Sequence, residues 1–311
     1  MAHALFIHGG ALGDFLLALR LLPALRGAGT NGITVFARSS VLPLARWSGA
    51  EQTFDLDTCG LHALFGPSPR VPPPLQPIFA RADLALNMLG ENLSPALRAV
   101  GVARVVEVDP RPRPDWPAHI TEQWRADLRA AGLGADAAPP SLIVPDVHRR
   151  DARSRLESCG LRSNRPLALL HPGAGALKKC WPLPSFLDLA ERLKHGGAQI
   201  VFVLGPVERE LLGSQDRARL AAAAPVLQDL SVESLAGAIT HAGLVVANDS
   251  GVAHLAAALG VATLAIFGPT CPILWRPLGD RVSVVGSDAG WPSVAEALDA
   301  VQELGRFARP S

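Results

Sequence analysis

The stretch from Leu244 to Cys271, LVVANDSGVAHLAAALGVATLAIFGPTC, restricts the fold more than any other part of the chain. Leu244 to Ala247 is a short apolar run of the kind that forms a buried parallel strand, and Asn248, Asp249, Ser250 and Gly251 then supply turn and N-cap chemistry. Val252, Leu255, Ala256 and Leu259 recur at helical spacing, Gly260 stands where a helix stops, and Ala262 to Phe267 is again apolar and strand-like. The pattern predicts one βαβ unit. A helix that starts directly after a buried strand turns unpaired N–H groups and the positive end of its dipole toward the open edge of the sheet, where an anion is stabilised. Gly251 lets such an anion approach the backbone.

The remaining length suffices for two such domains: 311 residues, of which 49% are hydrophobic and 18% charged, can bury a large core. A net charge of +1, with no Lys/Arg run interleaved with aromatics, argues against a nucleic-acid partner. Cys59, Cys159, Cys180 and Cys271 lie far apart and form no CxxC pair, so neither a zinc site nor a disulfide framework is signalled and a reducing, cytoplasmic setting is expected. No basic leader precedes the apolar start of MAHALFIHGGALGD, and the longest uncharged apolar stretch, Val252 to Phe267, is too short to cross a membrane. The expectation is a soluble protein that is able to rest on a membrane surface.

The first half opens with a strand, Ala4 to Ile7, a glycine loop from His8 to Asp14, and an apolar helix through Leu25. The glycines fall as G-G-x-x-G, and the next strand, Ile33 to Phe36, ends at Ala37-Arg38-Ser39 without a ribose-binding acid, which counts against a dinucleotide site. Asp14, just past Gly13, either complements the helix dipole or projects into the cleft above the sheet edge. Further strands are expected at Gln52 to Leu56, Leu84 to Met88 and Arg104 to Val108, alternating with helices as a parallel sheet requires. Asp55-Leu56-Asp57 has the form of a metal-binding D-x-D, but no further acids cluster beside it and the strand-end reading is preferred. Six prolines between Pro67 and Pro77, and the run PRPRPDWP from Pro110 to Pro117, predict two extended loops. Loops of this kind at a sheet edge can hold a substrate, and Arg81, Arg111 and Arg113 are either anion contacts or solvated surface charge.

A second unit is expected to begin near Pro145, after the Pro139-Pro140 break. Its strand Leu167 to Leu170 runs into His171-Pro172-Gly173-Ala174-Gly175, a second glycine loop at a strand end. Lys178, Lys179, Cys180 and Trp181 lead from it to an amphipathic helix, Pro184 to Lys194. The strand Ile200 to Leu204 ends at Gly205-Pro206-Val207-Glu208, and a helix from Ser231 to Ala242 returns the chain to Leu244. Cation, acid and amide cradle at successive strand ends suit a nucleotide diphosphate: Lys179 and the amides after Asp249 take the phosphates, and Glu208 accepts from ribose hydroxyls. Each also has a structural explanation, Lys179 as surface charge, Glu208 as a helix-start acid and His254 as a histidine packed under the sheet.

HPGAG with KKCWP, the GPVERE turn and NDSGVAHLAAALGVATLAIFGPTCPILWRPLG resemble the donor-domain signature of glycosyltransferase family 9, the ADP-heptose lipopolysaccharide heptosyltransferases, and GALGDFLLALRLLPALR resembles the family's N-terminal signature. The match covers Ala4 to Arg26 and about Leu167 to Asp280. The resemblance implies an α/β GT-B fold, two Rossmann-like parallel-sheet domains facing across a cleft. It would place an acceptor-side domain at 1–145, a nucleotide-sugar donor domain at 146–290, and a C-terminal helix, 291–311, packing back on the first domain. It implies an inverting, metal-independent transferase with no cofactor, moving a sugar, heptose from ADP-heptose, onto a lipopolysaccharide-core or other envelope-glycan acceptor in the cytoplasm, with peripheral contact at the inner membrane face. The alternatives are a non-catalytic nucleotide-sugar-binding protein and a sugar-nucleotide epimerase of the same fold. By the same resemblance Asp14 is the general base and Lys179 with the Ser250-Gly251 amides contacts the donor phosphates. Glu208 contacts ribose, Asp249 the donor sugar or the amide loop, and Gly13, His171, Gly173, Gly175 and His254 complete the candidate binding set. The family often carries Lys or Arg six residues before the base, where this chain has His8.

Overall fold

A computed structural model describes residues 3–134, 142–205, 207–208 and 212–305, and the chain divides into two units, Met1–Leu142 and Ile143–Ser311. The division falls just ahead of Pro145; the Pro139-Pro140 break and the tail beyond Gly305 lie outside the described residues.

In the first unit β1 (His3–His8), β2 (Gly32–Ala37), β3 (Gln52–Asp55), β4 (Ala82–Met88) and β5 (Arg104–Glu107) form one parallel sheet in the order β3-β2-β1-β4-β5. Every residue of β1 is buried, as a strand covered on both faces must be, and this is why HALFIH reads as an unbroken run rather than an alternating one. One face packs Leu5, Ile7, Phe36 and Ala85 against Leu61, Leu64, Ile78, Phe79, Leu93 and Leu97. Phe36 stacks on Phe54 at 5.4 Å, closing that core toward the sheet edge.

The second unit repeats the plan with β6 (Leu167–His171), β7 (Gln199–Leu204), β8 (Val226–Gln228), β9 (Leu244–Asn248), β10 (Thr263–Ile266) and β11 (Val282–Val285), all parallel, in the order β11-β10-β9-β6-β7-β8. The amphipathic helix Leu183–His195 buries Phe186, Leu189, Ala190 and Leu193 against Leu170, Phe202 and Leu204 on one face. Helix Gly251–Ala258, with Val252, Leu255 and Ala256 buried, lies against β9 and β10. Its neighbour, Val232–Thr240, packs on helix Asp146–Ser158; a side chain at Gly237 would collide with the His148 carbonyl, so these two helices approach at backbone distance.

The structure adds to the sequence reading at three places. The edge strands β8 and β11 are too short to show in the apolar pattern. The proline segment 67–77 is not wholly extended: Pro73–Leu75 forms a 3₁₀ turn and Gln76–Phe79 a helical one, with Pro77 in the first turn, where its missing N–H has no partner to lose. The final helix, Val294–Glu303, belongs to the second unit. A Ser293–Glu296 capping box starts it, and Ala297, Ala300 and Val301 are buried in the same core as Phe186 and Ile266.

Because Ala297 is fully buried there, Ala297→Asp is expected to lower stability by roughly 2–4 kcal/mol through an unpaired buried charge. Urea unfolding followed by tryptophan fluorescence measures this, with the exposed Asp299→Ala change as the neutral control.

Candidate functional site

Each sheet has one place where neighbouring strands send their connections to opposite faces, and loops leaving the carboxyl ends there border a crevice. In the second unit that place lies between β6 and β9, paired from Ala168↔Leu244 to His171↔Ala247. The glycine loop 172–175 and the turn 248–251 are therefore neighbours because of strand order, although they stand far apart in sequence.

Asn248 joins them. Its side chain is fully buried; Nδ2 donates to the carbonyls of Pro172 (2.8 Å) and Gly173 (3.1 Å), and Oδ1 accepts from the Trp181 amide at 2.9 Å. Trp181 is itself buried, donating through Nε1 to the Pro292 carbonyl at 2.9 Å and meeting Phe186 edge to face at 5.2 Å. The segment carrying Lys179 is thus anchored at its far end. Neither Asn248 nor Trp181 stood among the sequence candidates; the available signal was a lone amide closing an otherwise apolar strand.

Lys179 Nζ donates to Asp249 Oδ2 at 2.9 Å, and the Thr270 hydroxyl donates to the same oxygen at 2.9 Å. Asp249 is nearly buried while Lys179 keeps about a third of its side chain exposed, so the acid aims an ammonium that retains further N–H groups for a ligand. Directly beyond, Ser250 takes extended backbone geometry as N-cap of helix Gly251–Ala258, makes no side-chain cap, and leaves its Oγ buried without a partner among the described residues. The first-turn N–H groups that an N-cap side chain would satisfy are uncapped by Ser250. A fixed cation and an uncapped helix start side by side are groups able to hold an anion. His254, one turn into the helix, is buried, in keeping with the packed-histidine reading.

Glu208 departs from the simple expectation of a carboxylate open to ligand. It is 5% exposed, its Oε2 accepts from the Gly205 amide at 2.6 Å, and its Oε1 lies 3.9 Å from His171 Nε2. His171 is buried and engages the Val203 carbonyl through Nδ1 at 2.9 Å. A side chain on Gly173 would overlap the Glu208 carboxylate, which explains the glycine: it makes room for the acid. Gly175 faces open space. Burial, followed by the charge of Glu208, raises the Cys180 thiol above its ordinary value, so Cys180 is a thiol rather than a nucleophilic thiolate.

In the first unit the loop after β1 carries Gly13 and Asp14 into helix Leu12–Ala18, with Asp14 in its first turn. His8 does not supply a loop cation. It is 1% exposed, packed between Phe6 and Phe15, and burial, then the Arg38 charge, lowers its pKa to about 4, which leaves it neutral at physiological pH. The positive group at this loop is Arg38, exposed at the end of β2, whose Nε donates to the Gly9 carbonyl at 2.9 Å. On the other side Asn87 bonds Gly90 and Ser94, and Ser94 in turn bonds Glu107, which secures the turn after β4.

The remaining candidates have structural partners. Asp55 accepts from Ser39 N, Thr58 Oγ1 and Asp57 N, an acid folded into its own turn. Arg81 pairs with Glu51 at 3.0 Å beside the amino ends of the strands, away from the loops of interest. Arg111 pairs with Asp109, and Arg113 bonds Asp127 and stands over Trp116.

Known proteins are similar to this chain over part of its length. Lipopolysaccharide heptosyltransferase 3 of Escherichia coli is 26% identical over 167 residues, 53% of this chain and 48% of the relative. Lipopolysaccharide heptosyltransferase 1 of Pseudomonas aeruginosa is 40% identical over 126 residues, 39% of this chain and 34% of the relative. The chain spans about half the length of the curated relatives it matches, or less. The solved structure of the E. coli ADP-heptose lipopolysaccharide heptosyltransferase II superposes with a TM-score of 0.73 over 98% of each chain at 20% identity, a likeness that shows the GT-B fold. The model of glycosyltransferase family 9 (heptosyltransferase) matches residues 104–300, which is more than half of the sequence, and the chain belongs to that family.

Proposed function

We propose that the protein is an inverting, metal-independent glycosyltransferase that moves heptose from ADP-heptose onto a lipopolysaccharide-core or other envelope-glycan acceptor. The observation that carries the proposal is the Lys179–Asp249–Thr270 chain set beside the uncapped start of helix Gly251–Ala258. Nucleoside diphosphate departure needs fixed positive groups where charge develops, and these supply it without reorganisation. Family membership and the heptosyltransferase relatives favour heptose, and the name of the E. coli relative favours ADP-heptose.

In the proposed step Asp14 takes the proton of the acceptor hydroxyl as its oxygen attacks the anomeric carbon. The bond from that carbon to the diphosphate breaks, its electron pair leaves with ADP, and the configuration inverts. Lys179 and the Ser250-Gly251 amides take the phosphate oxygens. Asp249 holds the lysine, and the Gly173 loop gives close approach to the nucleotide. Glu208 accepts from ribose hydroxyls through Oε1, the oxygen not taken by Gly205, after a rotation from its buried position. Acceptor delivery from the inner face of the cytoplasmic membrane fits the same reading.

Asp14→Ala is expected to lower kcat by about 100-fold or more with donor affinity intact, measured as ADP release from ADP-heptose in the presence of acceptor and by calorimetry of donor binding. Full turnover in that variant would remove Asp14 as the base, and tight donor binding with no ADP release from the native chain against any acceptor would favour a binding protein over a transferase.

Lys179→Ala is expected to weaken ADP-heptose binding by about 1.5–3 kcal/mol, with a parallel loss in kcat/KM, because a charge-assisted bond to phosphate is removed. Thermal-shift titration against ADP-, GDP- and UDP-sugars checks both this and the choice of nucleotide, since a ligand that binds the folded state raises its stability with affinity.

A further inference from the structure

His8, the last residue of β1, carries a buried ring N–H with no acceptor among the described residues. The Gly10 amide donates to His8 Nδ1 at 3.2 Å, so that nitrogen carries a lone pair, and in the neutral imidazole the proton must sit on Nε2. His8 Nε2 is buried and makes no hydrogen bond among the described residues. Buried N–H groups are rarely left unpaired, and one that is calls for a functional explanation.

The surroundings show what it faces. An added side-chain carbon at Gly10 would lie 2.6 Å from His8 Cε1, 3.2 Å from His8 Nε2 and 2.9 Å from Asp14 Cβ. The imidazole edge and the root of the Asp14 side chain therefore border one small gap, which the missing Cβ of Gly10 keeps open. The ring cannot swing away: Phe6 stacks on it with centroids 6.1 Å apart, Phe15 packs at 5.5 Å, and the Gly10 amide pins Nδ1. Arg38 at the end of β2, which holds the Gly9 carbonyl, acts on its charge, and the root of the Asp14 side chain stands across the Gly10 gap.

We propose that His8 is a positioning residue for Asp14: when the Asp14 carboxylate turns into the gap over Gly10, the His8 Nε2–H donates to it, orients it and holds it ionised. The proposal rests on Asp14 being the general base. A neutral imidazole serves this purpose well: it stabilises the carboxylate without offering it a proton to take back.

The test uses the full chain with ADP-heptose and acceptor, comparing His8→Gln, which keeps a side-chain N–H donor, with His8→Leu, which has none, and Gly10→Ala, which fills the gap. Expected for His8→Leu and Gly10→Ala is a fall in kcat of about tenfold or more with the donor KM unchanged, and an acidic limb of the kcat profile displaced by about one unit to higher pH. His8→Gln should recover most of the rate and return the limb toward its native position. Equal loss in His8→Gln and His8→Leu, or a His8→Leu enzyme with native rate and native limb, overturns the proposal while leaving Asp14 as the base. Native activity in Asp14→Ala would instead remove the reading on which it rests. Should the leucine variant fold poorly, the native protein supplies an independent readout in the imidazole ¹⁵N and Nε2–H resonances of His8. They are expected to shift on Asp14→Asn, and resonances indifferent to that change overturn the proposal.

Discussion

One buried amide holds the second unit's site together. Asn248 ends β9, yet the three hydrogen bonds of its side chain all go to a different part of the chain: two to the loop after β6 and one to the amide of Trp181. A net contribution of about 1 kcal/mol per bond understates it, because loss of the amide would leave its buried partners unpaired at about 1–3 kcal/mol each. Strand order makes the two loops adjacent, but adjacency alone leaves them free to slide. Asn248 sets their spacing, and the segment between, with Lys179, inherits it.

The electrostatics follow from that frame. Asp249 is nearly buried and accepts from both Lys179 and Thr270, so its charge is compensated from two sides and the lysine is aimed rather than left to wander. The Lys179 end stays about a third exposed, so solvent screens the pair's contribution to stability and its value is geometric. Glu208 belongs to the same logic on the other side of the loop, where Gly173 yields space to its carboxylate and the Gly205 amide fixes it. An anion site of this kind has its dipoles ordered before a ligand arrives.

Much of this was legible in residues. DSG after an apolar run announced a helix start at a strand end, and HPGAG announced a second loop of the same type. Other features were not. That Gly173 is a glycine for the sake of Glu208, rather than for a turn, depends on a side chain thirty-odd positions on. His8 looked like a stand-in for a basic residue; only its packing between Phe6 and Phe15 shows it to be neutral, with the loop's cation, Arg38, arriving from the next strand. The final helix has the amphipathic pattern of any docking helix, and a pattern does not say which core it joins. The structure assigns it to Phe186 and Ile266.

The sequence by itself determined the local architecture of this protein: parallel strands, because their apolar runs are continuous, glycine loops at their carboxyl ends, and an N-terminus of a helix free to meet an anion. These depend on periodicity and on backbone chemistry within a few residues, which a linear string carries in full. The tertiary structure alone decided partnership: Asn248 with the Pro172–Gly173 carbonyls, Lys179 with Asp249 and Thr270, and His8 Nε2 with the gap beside Asp14. Burial and hydrogen-bond pairing arise where distant segments meet, and the order of strands in a sheet, which sets those meetings, is not written in any one segment.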